Sequence, residues 1–192
     1  MMTSNNALVP DPDKQDDLAS QWWQWPFLHV GLRMCSWDDK TVKYFLLGNP
    51  LVYWGSTAGL GIFALLVAWY TVRWQRGYKE LSQHEVDQIH YAGIYPVIGW
   101  FLHYLPFVVM ARVTYVHHYY PALYFAILTF GFLTDWFLRN TSKAVEYAVY
   151  GVLDAIVIGL YIYFIPICWG MEGPNRDYGY MRWFENWRMS DA

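Results

Sequence analysis

Residues 91–137 read YAGIYPVIGWFLHYLPFVVMARVTYVHHYYPALYFAILTFGFLTDWF, and this stretch decides the fold. Two apolar runs, Tyr91–Ala111 and Tyr119–Phe137, flank the polar hinge Arg112-Val113-Thr114-Tyr115-Val116-His117-His118. Crossing a bilayer takes roughly 17–25 helical residues, so each run is long enough to span. So short a hinge makes a tight re-entry at one membrane face. It brings one arginine and two histidines to that face, and these donors are the main functional signal.

Two further runs have the same length and character, Leu51–Val72 and Ala144–Trp169. In the first, Gly55, Ser56, Ala58, Gly59 and Gly61 predict a close approach to a neighbouring helix. Arg73-Trp74-Gln75-Arg76 closes it with a basic, aromatic edge. The segment from there to His90 reads as a polar loop, with His84 and His90 in solvent. Pro96 and Pro106 bend the second span, because proline removes a ladder hydrogen bond. Pro121 sits in the first turn of the third, where it is tolerated. Asp135 and Arg139 are spaced for an ion pair one turn apart. Asn140-Thr141-Ser142 is a glycosylation triplet, but it lies too close to the bilayer to be used. The fourth span carries Glu146 near its start and Asp154 deeper in.

The ends of the chain differ from the spans. Met1–Ser20 is a polar, acidic linker. Gln21–Trp37 gathers Trp22, Trp23, Trp25, Phe27, Leu28 and Trp37 around Pro26, too short and too broken to cross. It reads as a segment lying in the headgroup layer, with a piece of soluble core as the alternative. Gly48-Asn49-Pro50 turns into the first span. Gly170–Ala192 reads as a second interfacial segment. The expected fold is therefore all-α and polytopic, with four transmembrane helices. Its parts are a linker (1–20), a Trp-rich lead-in (21–50), a four-helix domain (51–169) and a tail (170–192).

Composition agrees. The chain is 56% hydrophobic and 21% aromatic but only 15% charged, well below the charge of ordinary globular domains. Its 12 Trp and 17 Tyr concentrate at the ends of the runs, as an aromatic belt does. A net charge of −3 lacks the basic footprint that nucleic acid requires. Cys35 and Cys168 form neither a zinc motif nor a redox pair. A disulfide between them and two free thiols both stay open. A single His-His pair offers too few imidazoles for a metal centre, so no metal and no cofactor is expected. Four spans put both termini and the hinge on one side. Arg73, Arg76, Lys79, Arg139 and Lys143 outweigh Arg112 among the loops, which favours the non-cytoplasmic side for the hinge. Lys40, Lys43, Arg176 and Arg182 oppose that assignment.

Arg112, His103, His117 and His118 are the candidate binding residues. Arginine offers a permanent charge and a planar fork, and histidine a donor that titrates near neutral pH. Together they suit an anionic headgroup such as a lipid-linked phosphate. The competing reading has Arg112 snorkelling to the surface and the histidines capping helix ends. Asp154 is costly inside a membrane unless it is paired or faces water.

Several longer stretches carry a resemblance. They are Trp100-Phe101-Leu102-His103-Tyr104-Leu105-Pro106-Phe107, and the run from Arg112 through His117-His118-Tyr119-Tyr120-Pro121 to Phe125. Trp25-Pro26-Phe27-Leu28, Tyr44-Phe45-Leu46-Leu47-Gly48-Asn49-Pro50, Trp54-Gly55-Ser56 and Arg73-Trp74-Gln75-Arg76-Gly77 add to them. The chain resembles the C-terminal membrane region of eukaryotic protein O-mannosyltransferases, most of all the second fungal subfamily. The resemblance implies a GT-C type fold in the endoplasmic reticulum membrane, working as a dimer of family members. It implies transfer of mannose from dolichyl phosphate mannose to Ser or Thr of secretory proteins. Both termini and the 112–118 hinge would then be lumenal. The family's essential acidic residues and its MIR domain would lie outside these 192 residues. The chain alone is therefore expected to be inactive. The alternative is a four-span packing and dimerisation module with no direct part in catalysis.

Overall fold

A computed structural model describes residues 18–35, 37, 40–110 and 113–189. Arg112 and most of the linker, 1–17, lie outside the described residues.

Four helical spans are long and apolar enough to cross a membrane. The first, α1 (Pro50–Gln75), starts where the Gly48-Asn49-Pro50 turn predicts. Asn49 Oδ1 accepts from the amides of Leu51 (3.1 Å) and Val52 (3.4 Å), which have no partner within the helix. Pro50 fills the first helical position, where a missing N–H costs nothing. Asn49 also donates from Nδ2 to Val157 O on the fourth span, at 3.0 Å. Asn49→Ala is expected to cost about 0.5–2 kcal/mol from the cap, read as a lower melting point in detergent micelles.

The second span runs from Gln83 to Val109, starting earlier than the expected Tyr91. It comprises α2 (Gln83–Gln88), a π-helical turn (Ile89–Ile94) and α3 (Tyr95–Val109). Ser82 and Glu85 form a reciprocal capping box, which starts a helix in polar sequence. His84 and His90 are thus helical rather than loop residues. The π turn precedes Pro96. There Tyr95 N–H reaches back to His90 O, and the wider turn accommodates the proline ring.

A 3-10 turn, Val116–Tyr119, leads into α4 (Tyr120–Leu138). The fourth span, α5 (Lys143–Tyr163), ends earlier than expected. Phe164 breaks it and α6 (Ile165–Trp169) follows, because Pro166 has no amide to continue the ladder. Thr141 Oγ1 bonds Leu138 O in the tight turn before α5.

Helix α4 is the centre of the bundle, with α1 and α3 packed on it. Ala122, Leu123, Ala126, Thr129, Leu133 and Trp136 form its buried face. The small residues of α1 meet it as predicted. A Cβ at Gly59 would lie 3.3 Å from Phe130 Cα, and one at Gly55 3.4 Å from its ring. Gly61, by contrast, faces open space. Gly59→Ile is expected to force α1 off α4 at about 1–3 kcal/mol, visible as a lower melting point, while Gly61→Ile should change little.

Two cores hold the two ends of the bundle. The far one joins Phe63, Ile89, Leu133 and Trp136. Beside it, Arg139 bonds Glu85 (3.3 Å) and lies 3.6 Å from the Trp136 ring centroid. Asp135, the expected partner, is one turn away but is passed over for the carboxylate α2 brings.

The hinge-end core joins Trp25, Tyr53, Tyr104, Tyr119, Phe164 and Trp187. Here the lead-in packs onto the bundle. It is folded into a cap, with Trp25 and Leu28 fully buried, while Trp23 and Phe27 stay exposed. Two short strands, β1 (Leu32–Arg33) and β2 (Phe45–Leu46), pair antiparallel within it. Lys43 bridges to Met171 and donates from Nζ to Gly173 O, tying the tail to the lead-in. Cys35 and Cys168 are free thiols.

Candidate functional site

The described part of the hinge, residues 113–118, lies under this cap. Ser20 N–H donates to Thr114 O (2.8 Å), and Thr114 Oγ1 donates back to Ser20 O (2.6 Å). Both side chains are buried. Trp25 Nε1 completes the junction by donating to Ser20 Oγ at 2.8 Å. The start of the lead-in thus fixes the hinge backbone.

His117 and His118 come together as the sequence predicts, with ring centroids 4.4 Å apart. His117 is exposed and stacks on Tyr115 at 5.8 Å with an interplanar angle of 8°. His118 is half-buried between Trp25 and Phe107, at 6.4 Å and 5.2 Å. Its Nδ1 accepts from the Tyr115 amide at 2.9 Å. That bond caps the 3-10 turn, and the same nitrogen lies 3.0 Å from Tyr115 O.

His103 is held by different neighbours. Its ring lies on Phe125 at 5.0 Å, and its Nδ1 bonds Gly99 O at 2.8 Å. In the neutral ring Nδ1 donates there, so Nε2 offers a lone pair. Only a second proton would make His103 a donor to an anion.

The aromatic floor of the site carried no separate sequence signal. Tyr104 stacks on Trp100 at 4.8 Å and donates from its hydroxyl to Trp22 O at 2.8 Å. Trp100 Nε1 donates to Tyr119 OH at 3.2 Å. Tyr53 packs against Tyr119 at 5.9 Å, and among the described residues its buried hydroxyl has no partner. These rings hold Trp25, and Trp25 holds the hinge. No carboxylate lies on residues 113–119. Among the described residues, no three His, Cys, Asp or Glu side chains converge as a metal site would need.

A family model described as the C-terminal four-transmembrane region of protein O-mannosyltransferase matches residues 1–187. The chain belongs to that family. Dolichyl-phosphate-mannose–protein mannosyltransferase 2 of Candida albicans is 47% identical over 202 residues, covering 100% of this chain and 26% of that protein. Mannosyltransferase 6 of Saccharomyces cerevisiae is 48% identical over 187 residues, covering 97% and 25%. Among solved structures, the S. cerevisiae Pmt1–Pmt2 complex bound to the sugar donor is similar, with a TM-score of 0.83 and 30% identity. That match covers 96% of this chain and 25% of the solved one. The chain therefore spans about a quarter of the length of the relatives it matches. The four-helix membrane architecture expected from the sequence is that of the protein O-mannosyltransferase C-terminal region.

Proposed function

We propose that this chain serves as the C-terminal membrane quarter of a dolichyl-phosphate-mannose–protein mannosyltransferase in the endoplasmic reticulum. Its hinge end is lumenal, with the cap and tail on that side. Arg112, His117 and His118 shape the face that receives the lipid-linked phosphate, and His103 lines its edge. A second family member completes the assembly, and secretory proteins supply the acceptor hydroxyls. The reading rests above all on the paired hinge histidines, held by a buried aromatic cap in a protein similar to a donor-bound complex.

The chemistry assigned to the hinge is limited. Glycosyl transfer to a hydroxyl requires a group that takes the proton and donors that hold the departing phosphate. Histidine N–H and the Arg112 guanidinium can serve as donors. No carboxylate on the hinge itself can act as the base. The 192-residue chain alone is accordingly expected to transfer no mannose from dolichyl phosphate mannose to a Ser/Thr peptide in microsomes. Activity clearly above that of untransformed membranes would overturn this reading.

The packing-module reading makes a different forecast. It requires that His118→Ala lower membrane yield or assembly rather than donor binding. His118→Gln then separates the roles. The Gln amide can still donate, but it does not reproduce the ring stack on Trp25 and Phe107.

A further inference from the structure

Thr114 follows Arg112 by two positions and precedes His117 by three. It is buried, and so is Ser20, which meets it from 94 positions earlier in the chain. The two residues exchange a pair of hydrogen bonds. Ser20 N–H donates to Thr114 O at 2.8 Å, and Thr114 Oγ1 donates to Ser20 O at 2.6 Å. The second bond needs the hydroxyl. Without it, the buried Ser20 carbonyl loses its partner in a place where water cannot replace it.

The next residue carries this anchor to the histidines. Tyr115 is extended, at φ −135° and ψ 157°, and precedes the 3-10 turn. Its amide meets His118 Nδ1 at 2.9 Å, and its carbonyl accepts from the His118 amide at 3.0 Å. Its ring stacks on that of His117. Tyr115 therefore addresses both imidazoles. Thr114 O and the Tyr115 N–H belong to one planar peptide unit, from opposite edges of which they point. The Ser20 bond holds one edge of that plane and His118 Nδ1 meets the other. Rotating the plane disturbs both contacts together.

We propose that Thr114 is a positioning residue for the hinge histidines, acting from Ser20 through the 114–115 peptide plane. The inference rests on the donor role given to the hinge above and adds what aims those donors. Thr114 itself touches no substrate. It fixes the plane that His118 caps, and with it the direction of the His117 and His118 rings. A donor aimed at the departing phosphate acts where charge develops, so a loss of aim appears in kcat more than in KM.

Thr114→Val keeps the shape of the side chain and removes the hydroxyl, while Thr114→Ser keeps the hydroxyl. In the full chain in micelles, amide exchange at Tyr115 is expected to rise at least about tenfold in Thr114→Val. Thr114→Ser should exchange like the parent. Transfer is read with this chain replacing the matching quarter of the Candida albicans mannosyltransferase 2. There Thr114→Val is expected to lower kcat per folded molecule about tenfold or more, as misplaced groups do, with little change in KM for dolichyl phosphate mannose. Thr114→Ser should restore kcat. Thr114→Cys, a weaker donor, should fall between them, and it supplies the same comparison if the Val chain does not fold. Unchanged exchange at Tyr115 would overturn the proposal. So would a lower melting point with kcat per folded molecule intact, or a Ser variant no better than Val. His118→Ala in the same chimera separates the two claims. If the parent chimera is inactive, or His118→Ala leaves turnover intact, the donor role fails and takes this inference with it. If His118→Ala lowers turnover and Thr114→Val does not, the positioning role alone is wrong.

Discussion

Trp25→Ala is expected to unfold the hinge end of the bundle, at a cost of about 3–5 kcal/mol for removing a fully buried large aromatic. Trp25 is 0% exposed. Its ring contacts Tyr104, Phe107, His118 and Tyr119 at 5.4–6.4 Å. Its indole N–H satisfies the buried Ser20 hydroxyl. Truncation therefore opens a cavity and orphans a buried polar group at once. Because Ser20 also pairs with Thr114, the loss extends to the hinge backbone. Thermal unfolding in micelles should show the hinge end melting first. Protease should then cut near Ser20 at temperatures where the parent chain resists. Trp25→Phe should recover most of the packing but not the hydrogen bond. An Ala variant that melts with the parent would show that the cap is not what holds the hinge.

The second large effect is expected at the other end of the chain. Trp187 is 0% exposed and donates to Leu28 O at 2.8 Å. Its ring meets Phe164, Trp183 and Phe184 at 5.4–6.0 Å. Leu28 has φ of 51°, a left-handed conformation that is strained for a branched-chain residue. The Trp187 bond and the burial of the Leu28 side chain hold that conformation in place. Trp187→Ala is thus expected to cost about 3–5 kcal/mol and to free the tail. Amide exchange should rise along residues 171–189 and at Leu28 together. If exchange rose only in the tail, lead-in and tail would be independent of each other.

Much of this was readable from residue order. Four runs of membrane length give four spans, and the Gly55 and Gly59 spacing gives the α1–α4 contact. Asn49-Pro50 gives the start of α1. The resemblance carried by residues 100–107 and 112–125 points to the family. The start of the second span was missed because α2 is polar. Its signal, Ser82 with Glu85 three residues on, was present but outweighed by charge. The end of the fourth span was missed although Pro166 marks it. The cap was hidden for a deeper reason. Trp25 packs on Tyr104, 79 positions away in sequence, and Leu28 is bonded by Trp187, 159 positions away. A left-handed leucine has no local sequence signature. The tautomer of His103 was likewise out of reach, because the Gly99 carbonyl sets it.

If the proposed function holds, this chain can stand in for the matching quarter of a protein O-mannosyltransferase, with His118 as a donor on its lumenal face. The direct measurement replaces that quarter of the Candida albicans mannosyltransferase 2 with this chain. Mannose transfer from dolichyl phosphate mannose to a Ser/Thr peptide is then followed in microsomes, with and without His118→Ala. The chimera is expected to transfer mannose, and His118→Ala to lower turnover about 10²–10³-fold at unchanged membrane yield, as for removal of one preorganised donor. A folded chimera without transfer, or full turnover after His118→Ala, would contradict it.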